Sequence, residues 1–213
     1  MQPKDILDAL HWRAAVQSFD PAKKISSTDL ETILESGRLA PSSFGLEAWK
    51  FIVVENQTLR QAIQEASYGQ PRVTQASHLI AIARRTDVRQ SIAAERIDRT
   101  AKIQEQPVES LTSFRQMLDG VIASKDDASL DRWIACQTYI PLGIMMETAS
   151  LLGIDNAAME GFDPQAVDTV LGLGDQHLTT TTLLALGYRH QNDEAAKKPK
   201  VRRPVEEVTL VVR

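Results

Sequence analysis

Three basic side chains near the two ends of the chain have the types and spacing of an anion site. Arg13 follows the first apolar-periodic segment, and Lys200 and Arg202 lie within Pro199-Lys-Val-Arg-Arg203. Two positions apart on extended backbone, Lys200 and Arg202 project to the same side. Brought to one point, these groups would offer guanidinium forks and an ammonium to a phosphate. A solvated basic patch accounts for the same residues if the ends stay apart.

Other chemistries lack their residues. His11, His78, His177 and His190 are scattered, none with an Asp, Glu or Cys partner at metal-ligand spacing, so no metal site is expected. There is no Gly-x-Ser-x-Gly elbow and no phosphate-binding loop of the Walker type. Gly172-Leu-Gly174 runs into Asp175-Gln176-His177, which reads as a helix end and loop rather than a dinucleotide fingerprint. Cys136 falls in a helical stretch among apolar neighbours and reads as packing. No side chain stands out as nucleophile, acid or base. Any chemistry then belongs to a bound cofactor, with the protein supplying position and electrostatics.

The elements that must position these groups alternate between helix and strand, without repeats or low-complexity linkers. At 213 residues the chain is expected to form one domain, 1–213. Asp5 to Ala14 reads as a helix with Ile6, Leu7 and Leu10 on one face. Thr28 and Glu31 form a capping box for a second, which Pro41 stops. Lys50–Glu55 and His78–Ala83 read as strands, with a helix over Leu59–Ala66 between them. Residues 89–123 give two helical patterns parted near Pro107. The longest helix runs from Ser129 to Leu152, with Trp133, Ile134, Ile140, Ile144, Met145 and Leu152 expected inward and Pro141 inside it. A short strand at Ala157–Met159 precedes a helix capped by Asp163 with Pro164 in its first turn. Thr179–Leu186 is a further strand. Residues 191–204 are polar, basic and irregular, and Val208–Val212 reads as a final strand that must find a sheet edge. That edge lies in its own chain or, given the length of the arm, in a neighbouring subunit.

Composition sets the surroundings. Lys and Arg number 24 against 28 Asp and Glu, a net charge of −4, which disfavours a nucleic-acid partner. A single cysteine allows no intrachain disulfide and fits a reducing cytoplasm. The start lacks the apolar run of a signal peptide, and no stretch approaches the ~20 apolar residues of a membrane span. A cytoplasmic protein without a membrane partner is the expectation.

Four segments, in order, resemble the motifs of the FMN-dependent nitroreductase family. They are Arg13-Ala-Ala-Val-Gln-Ser-Phe-Asp20, Ala40-Pro-Ser-Ser-Phe-Gly-Leu-Glu-Ala-Trp-Lys-Phe-Ile-Val-Val54, Met159-Glu-Gly-Phe-Asp163 and Pro199-Lys-Val-Arg202. Each alone is weak, but together they span nearly the whole chain. The resemblance implies an α+β, nitroreductase-like fold, with a central mixed sheet surrounded by helices and the C-terminal strand added to the partner subunit's sheet. It implies a homodimer with FMN at the interface, NADH or NADPH as electron donor, and a nitroaromatic or quinone-like acceptor reduced by ping-pong hydride transfer. No catalytic side chain is needed, since the flavin carries the chemistry.

Carried over by position, the resemblance assigns Arg13, Lys200 and Arg202 to the FMN phosphate. Glu160 and Gly161 would present backbone amides to the flavin's N5 edge, and a plain strand-to-helix turn explains them equally. Ser42, Ser43 and Gly45 would reach the flavin of the partner subunit. Gln70 corresponds to a ribityl or ring contact. Ala15 and Gln17 stand where relatives often carry a serine and a basic residue, so Arg72 becomes the candidate cation for the reduced flavin. Glu47 replaces a common glutamine and faces Lys50, the flavin or solvent; Ala48 replaces a common proline. Residues 89–123 are expected to cover the pocket, with Phe114 or Met117 as lining or as core. Two alternatives share these motifs: a flavin-binding or regulatory module without turnover, and a specialised reductase of the same fold, such as a dihydropteridine reductase or a dehalogenase.

Overall fold

The computed structural model describes residues 2–212. Four strands, β1 (Trp49–Val54), β2 (His78–Arg85), β3 (Asp155–Met159) and β4 (Leu178–Gly187), form one sheet in the order β1-β2-β4-β3. Every neighbouring pair is antiparallel, so the expected mixed sheet is not seen within one chain. Among the described residues parallel pairing is confined to an isolated bridge between Ala15 and Asn156.

Helices α1 (Pro3–Trp12), α2 (Ser27–Arg38), α3 (Gln57–Ala66), α4 (Arg72–Gln75), α5 (Ala93–Ile103), α6 (Thr112–Ala123), α7 (Asp127–Leu151), α8 (Pro164–Leu171) and α9 (Val205–Val208) surround it. Among the described residues no helix is long and apolar enough to cross a membrane.

The period-2 alternation of strands sorts the core into two layers. Leu79 and Ala81 of β2 and Leu183 and Ala185 of β4 pack with Ile63 of α3 and Val167 of α8. Ile80, Ile82, Leu184 and Leu186 face the other way, onto Ile33 of α2 and Leu142, Met145 and Ala149 of α7. Buried on both faces, these strands read as continuous apolar runs. A third cluster joins the loop before β1 (Leu46, Ala48) to Ile92 and Ile97, Leu118 and Ile122, and Leu130 and Ile134. The helical excursion of residues 89–123 therefore has a core of its own.

Several elements differ from expectation for identifiable reasons. The N-cap of α2 is Ser26, whose hydroxyl accepts from Asp29 N at 3.0 Å, rather than Thr28. Val208–Val212 forms no strand in its own chain. Residues 205–208 make one helical turn, and Leu210, Val211 and Val212 extend unpaired and exposed. Ile140 on α7 is exposed, because a 25-residue helix beside one sheet turns part of its circumference outward, and Leu152, the C-cap just past its end, is exposed too. Cys136 lies on that outward face and is exposed, not packed. Pro141 stands within the continuous helix and has no N–H to give to the Gln137 carbonyl.

Candidate functional site

Arg13, Lys200 and Arg202 come together. They line a cavity of about 240 Å³ with Ala15 and Pro199, and among the described residues no carboxylate lines it. Burial, then the neighbouring Arg202 charge, holds the Arg13 guanidinium below its ordinary pKa. Lys200 is lowered by desolvation and then by Arg13, Arg202 and Arg189. Cations crowded in this way repel one another, and an anion among them relieves that repulsion.

The cavity lies at the C-terminal end of α1, whose free carbonyls would repel an anion. Two cations answer those carbonyls. Lys200 Nζ donates to His11 O at 2.6 Å. Arg189 donates to Trp12 O at 3.4 Å and lies 4.5 Å from the Trp12 ring centroid. Buried Asp155 holds Arg189 through Nε and the backbone N–H, both at 2.8 Å.

The arm carrying Lys200 and Arg202 is pinned by Asp193, a residue the motifs do not include. Its Oδ2 accepts from Gln17 N at 2.7 Å and Ser18 N at 2.9 Å, and its Oδ1 from Ala196 N at 3.1 Å. Burial works to raise the Asp193 pKa, but these backbone donors outweigh it and keep the carboxyl below its ordinary range. The bond to Ala196, three residues on, is a capping signature legible in the sequence; the bonds to Gln17 and Ser18 are not.

The Ala15–Asn156 bridge lays the first motif alongside β3, which leads into Glu160 and Gly161. Asn156 to Glu160 is four strand steps, roughly 13 Å. Gln70 Nε2 donates to Gly161 O at 2.6 Å, and Tyr139 Oη donates to Glu160 Oε1 at 3.0 Å. Among the described residues the Gly161 N–H has no acceptor. Gln17 turns its side-chain amide to Ala15 O at 3.2 Å. Arg72, half-buried at the start of α4, makes no ion pair among the described residues. Its pKa is lowered by burial, against the pull of the Asp193 charge.

Ser42, Ser43 and Gly45 stand apart, and no hydrogen bond links them to the basic cavity among the described residues. Gln137 Oε1 accepts from Ser43 N at 2.8 Å, and Ser42 Oγ accepts from Glu47 N at 2.9 Å. Phe44 and Glu47 both adopt left-handed backbone, φ 55° and 49°. Gly45 is left-handed too, and a Cβ there would lie 2.7 Å from the Arg96 guanidinium. Glu47 pairs with Arg99 at 3.5 Å rather than with Lys50. On α7, Gln137 holds this loop and Tyr139 holds Glu160. Residues two apart on a helix project about 200° apart, so one chain does not present both at one point. Of the proposed pocket residues, Phe114 packs on the excursion's core, whereas Met117 is exposed.

The sheet flanked on both faces by helices, with a basic cavity joining the chain's two ends, defines a family. Residues 10–188 match the Nitroreductase family, and the chain belongs to it. A Staphylococcus aureus protein provisionally named an NAD(P)H nitroreductase is 40% identical over 213 residues, covering 95% of this chain and 93% of the relative. A Bacillus subtilis structure provisionally described as a nitroreductase superposes with a TM-score of 0.87 at 20% identity, over 99% of this chain and 100% of the other. An Exiguobacterium sibiricum structure, provisionally described as a nitroreductase in complex with FMN, gives 0.83 at 20% identity, over 100% and 99%.

Proposed function

We propose that residues 1–213 work as one FMN-dependent NAD(P)H oxidoreductase that reduces nitroaromatic or quinone-like small molecules. The observation that carries this reading is the convergence of Arg13, Lys200 and Arg202 on one cavity that no carboxylate of the described residues lines. The donor set suits a phosphate monoester, and the unpaired Gly161 N–H further along β3 suits a ring acceptor. The names carried by the S. aureus relative and the E. sibiricum structure agree with it.

Arg13, Lys200 and Arg202 hold the phosphate, and Ala15 and Gln17 line its approach. Gln70, with one donor committed to Gly161, keeps its carbonyl oxygen for the ribityl chain. Arg72 supplies positive charge where the reduced ring gains negative charge, as electrostatic preorganisation requires. Glu160 and Gly161 present backbone N–H groups to the ring edge. When bound, FMN supplies the hydride chemistry. Donor and acceptor enter the same slot in turn, which makes the kinetics ping-pong.

The active form is a homodimer. Helix α1 buries none of its residues in the single chain, although Leu7, Leu10 and Trp12 are large and apolar. Ser42, Ser43 and Gly45 then face the flavin of the second copy. β1 is an edge strand beside a groove of about 700 Å³ floored by Leu34, Trp49, Phe51 and Val53. The exposed Val208–Val212 segment of a second copy fits there as an added strand.

The deciding experiment is the visible spectrum of the purified protein before and after anaerobic NADH or NADPH. Flavin bands near ~450 nm that bleach support the reading. Bands that persist favour a binding module without turnover, and a protein that cannot be reconstituted with FMN overturns the reading.

A further inference from the structure

The turn at Glu160–Gly161 is held by two side chains that the fold does not need for this purpose. Upstream it is set by β3, and downstream by Asp163, whose N–H donates to Ala66 O at 2.9 Å and whose carboxylate caps α8. Phe162 between them is buried. Yet Tyr139, exposed on α7, reaches the Glu160 carboxylate at 3.0 Å, and Gln70, in the turn before α4, reaches the Gly161 carbonyl at 2.6 Å. A third bond, Phe162 N to Glu160 O at 3.0 Å, orients the peptide between Glu160 and Gly161. What remains free is the Gly161 N–H. A Cβ added at Gly161 would meet only Gln70 Nε2, at 3.4 Å, so the face beside that donor is open.

We propose that Tyr139 and Gln70 are positioning residues of this site. Tyr139 ties down the Glu160 carboxylate, and Gln70 fixes the peptide after Gly161, so that the aimed Gly161 N–H and no loose negative charge meet the ring. This rests on the flavin reading. A carboxylate free to approach an electron-accepting ring disfavours the charge gained on reduction, whereas one held by a phenol does not move toward it.

The test compares wild type with Tyr139→Phe, Gln70→Leu, Glu160→Gln and the Tyr139→Phe/Glu160→Gln double variant, each loaded with FMN, by the midpoint potential against reference dyes. Tyr139→Phe makes flavin reduction about threefold to tenfold less favourable, ~15–30 mV for a two-electron couple. Glu160→Gln in that background restores the wild-type value. Measured with FMN saturating, because the change also removes the ribityl contact, Gln70→Leu lowers the rate constant for reduction by NAD(P)H about fivefold, the effect of one neutral hydrogen bond. A Tyr139→Phe potential equal to wild type, or one that Glu160→Gln does not restore, overturns the proposal. A second readout needs no flavin. Amide exchange at Phe162, whose N–H is bonded to Glu160 O, quickens in Gln70→Leu and Tyr139→Phe if the clamp holds this turn, and unchanged exchange overturns it. Wild type that binds no FMN sinks the functional reading alone, and the exchange measurement still decides on the clamp.

Discussion

Lys200 Nζ donates to the carbonyl of His11 at 2.6 Å across 189 positions of sequence, so the lysine aimed at the basic cavity also neutralises the end of α1 beside it. The two roles reinforce each other, since an anion at a helix C-terminus meets both bare carbonyls and an unfavourable dipole.

Replacing this group, as in Lys200→Met, removes a charged donor and exposes the His11 carbonyl to the phosphate. The expected loss in FMN affinity is roughly tenfold to a hundredfold, the range of about 1.5–3 kcal/mol for hydrogen bonds to charged groups. Fluorescence titration measures it. Added salt should weaken wild type more than the variant, because one fewer cation is screened. Equal affinities would move the phosphate elsewhere.

Asp193 governs whether the arm stays in place. Its folded-state pKa lies below the ordinary 3.8. A depressed carboxyl stabilises fully above its unfolded value and loses that contribution as pH falls through the folded one. Protection of the Gln17 and Ser18 amides from exchange should thus persist at neutral pH, begin to weaken below about pH 4, and be lost only as pH falls through the depressed folded value. Asp193→Ala should abolish it at neutral pH and weaken FMN binding through the freed Lys200 and Arg202. Protection that survives in the variant would show that other contacts hold the arm.

The two kinds of feature differed in how far sequence exposed them. β2 and β4 announce themselves because burial on both faces leaves unbroken apolar runs, and Asp163-Pro164 opens α8 as its cap chemistry demands. The capping box expected at Thr28–Glu31 is not the cap the structure uses, which is Ser26. Ile25 decides it: the residue is buried, and its N–H donates to Ser77 Oγ at 2.8 Å, which fixes the chain just before Ser26. Such a choice depends on a partner 52 positions away. The basic triad was legible through its motifs, but its convergence needed the Ala15–Asn156 bridge and the Asp193 anchor. Tyr139 and Gln137 carried no local signal, because each acts on a loop distant in sequence.

Gly187 ends β4 against Phe19, and a Cβ there would lie 2.8 Å from Phe19 Cδ1 and 3.1 Å from the Ser77 backbone nitrogen. Backbone cannot yield as a flexible side chain does, so Gly187→Ala should cost about 1–3 kcal/mol by overpacking. Urea unfolding measures this, and Phe19→Leu in the same chain should recover part of it. Full stability of the single variant would mean that the Phe19 ring swings aside freely.

The C-terminal segment offers the sharpest separation between a free tail and an exchanged strand. Val208, Leu210, Val211 and Val212 are exposed, and burying such side chains is worth about 1.5–3 kcal/mol each when complete. Docked on a second copy's β1, they would add strand hydrogen bonds along an edge that otherwise stays open. A chain ending at Pro204 keeps Lys200 and Arg202, so its phosphate cavity is intact. Light scattering over a dilution series should show wild type dimeric and the shortened chain dissociating at concentrations at least tenfold higher. Trp49, which lines the groove beside β1, should report the same event as a change in fluorescence. If the shortened chain dimerises as tightly as wild type, the tail does not bridge the subunits, and the apolar face of α1 must supply the dimer contact without it.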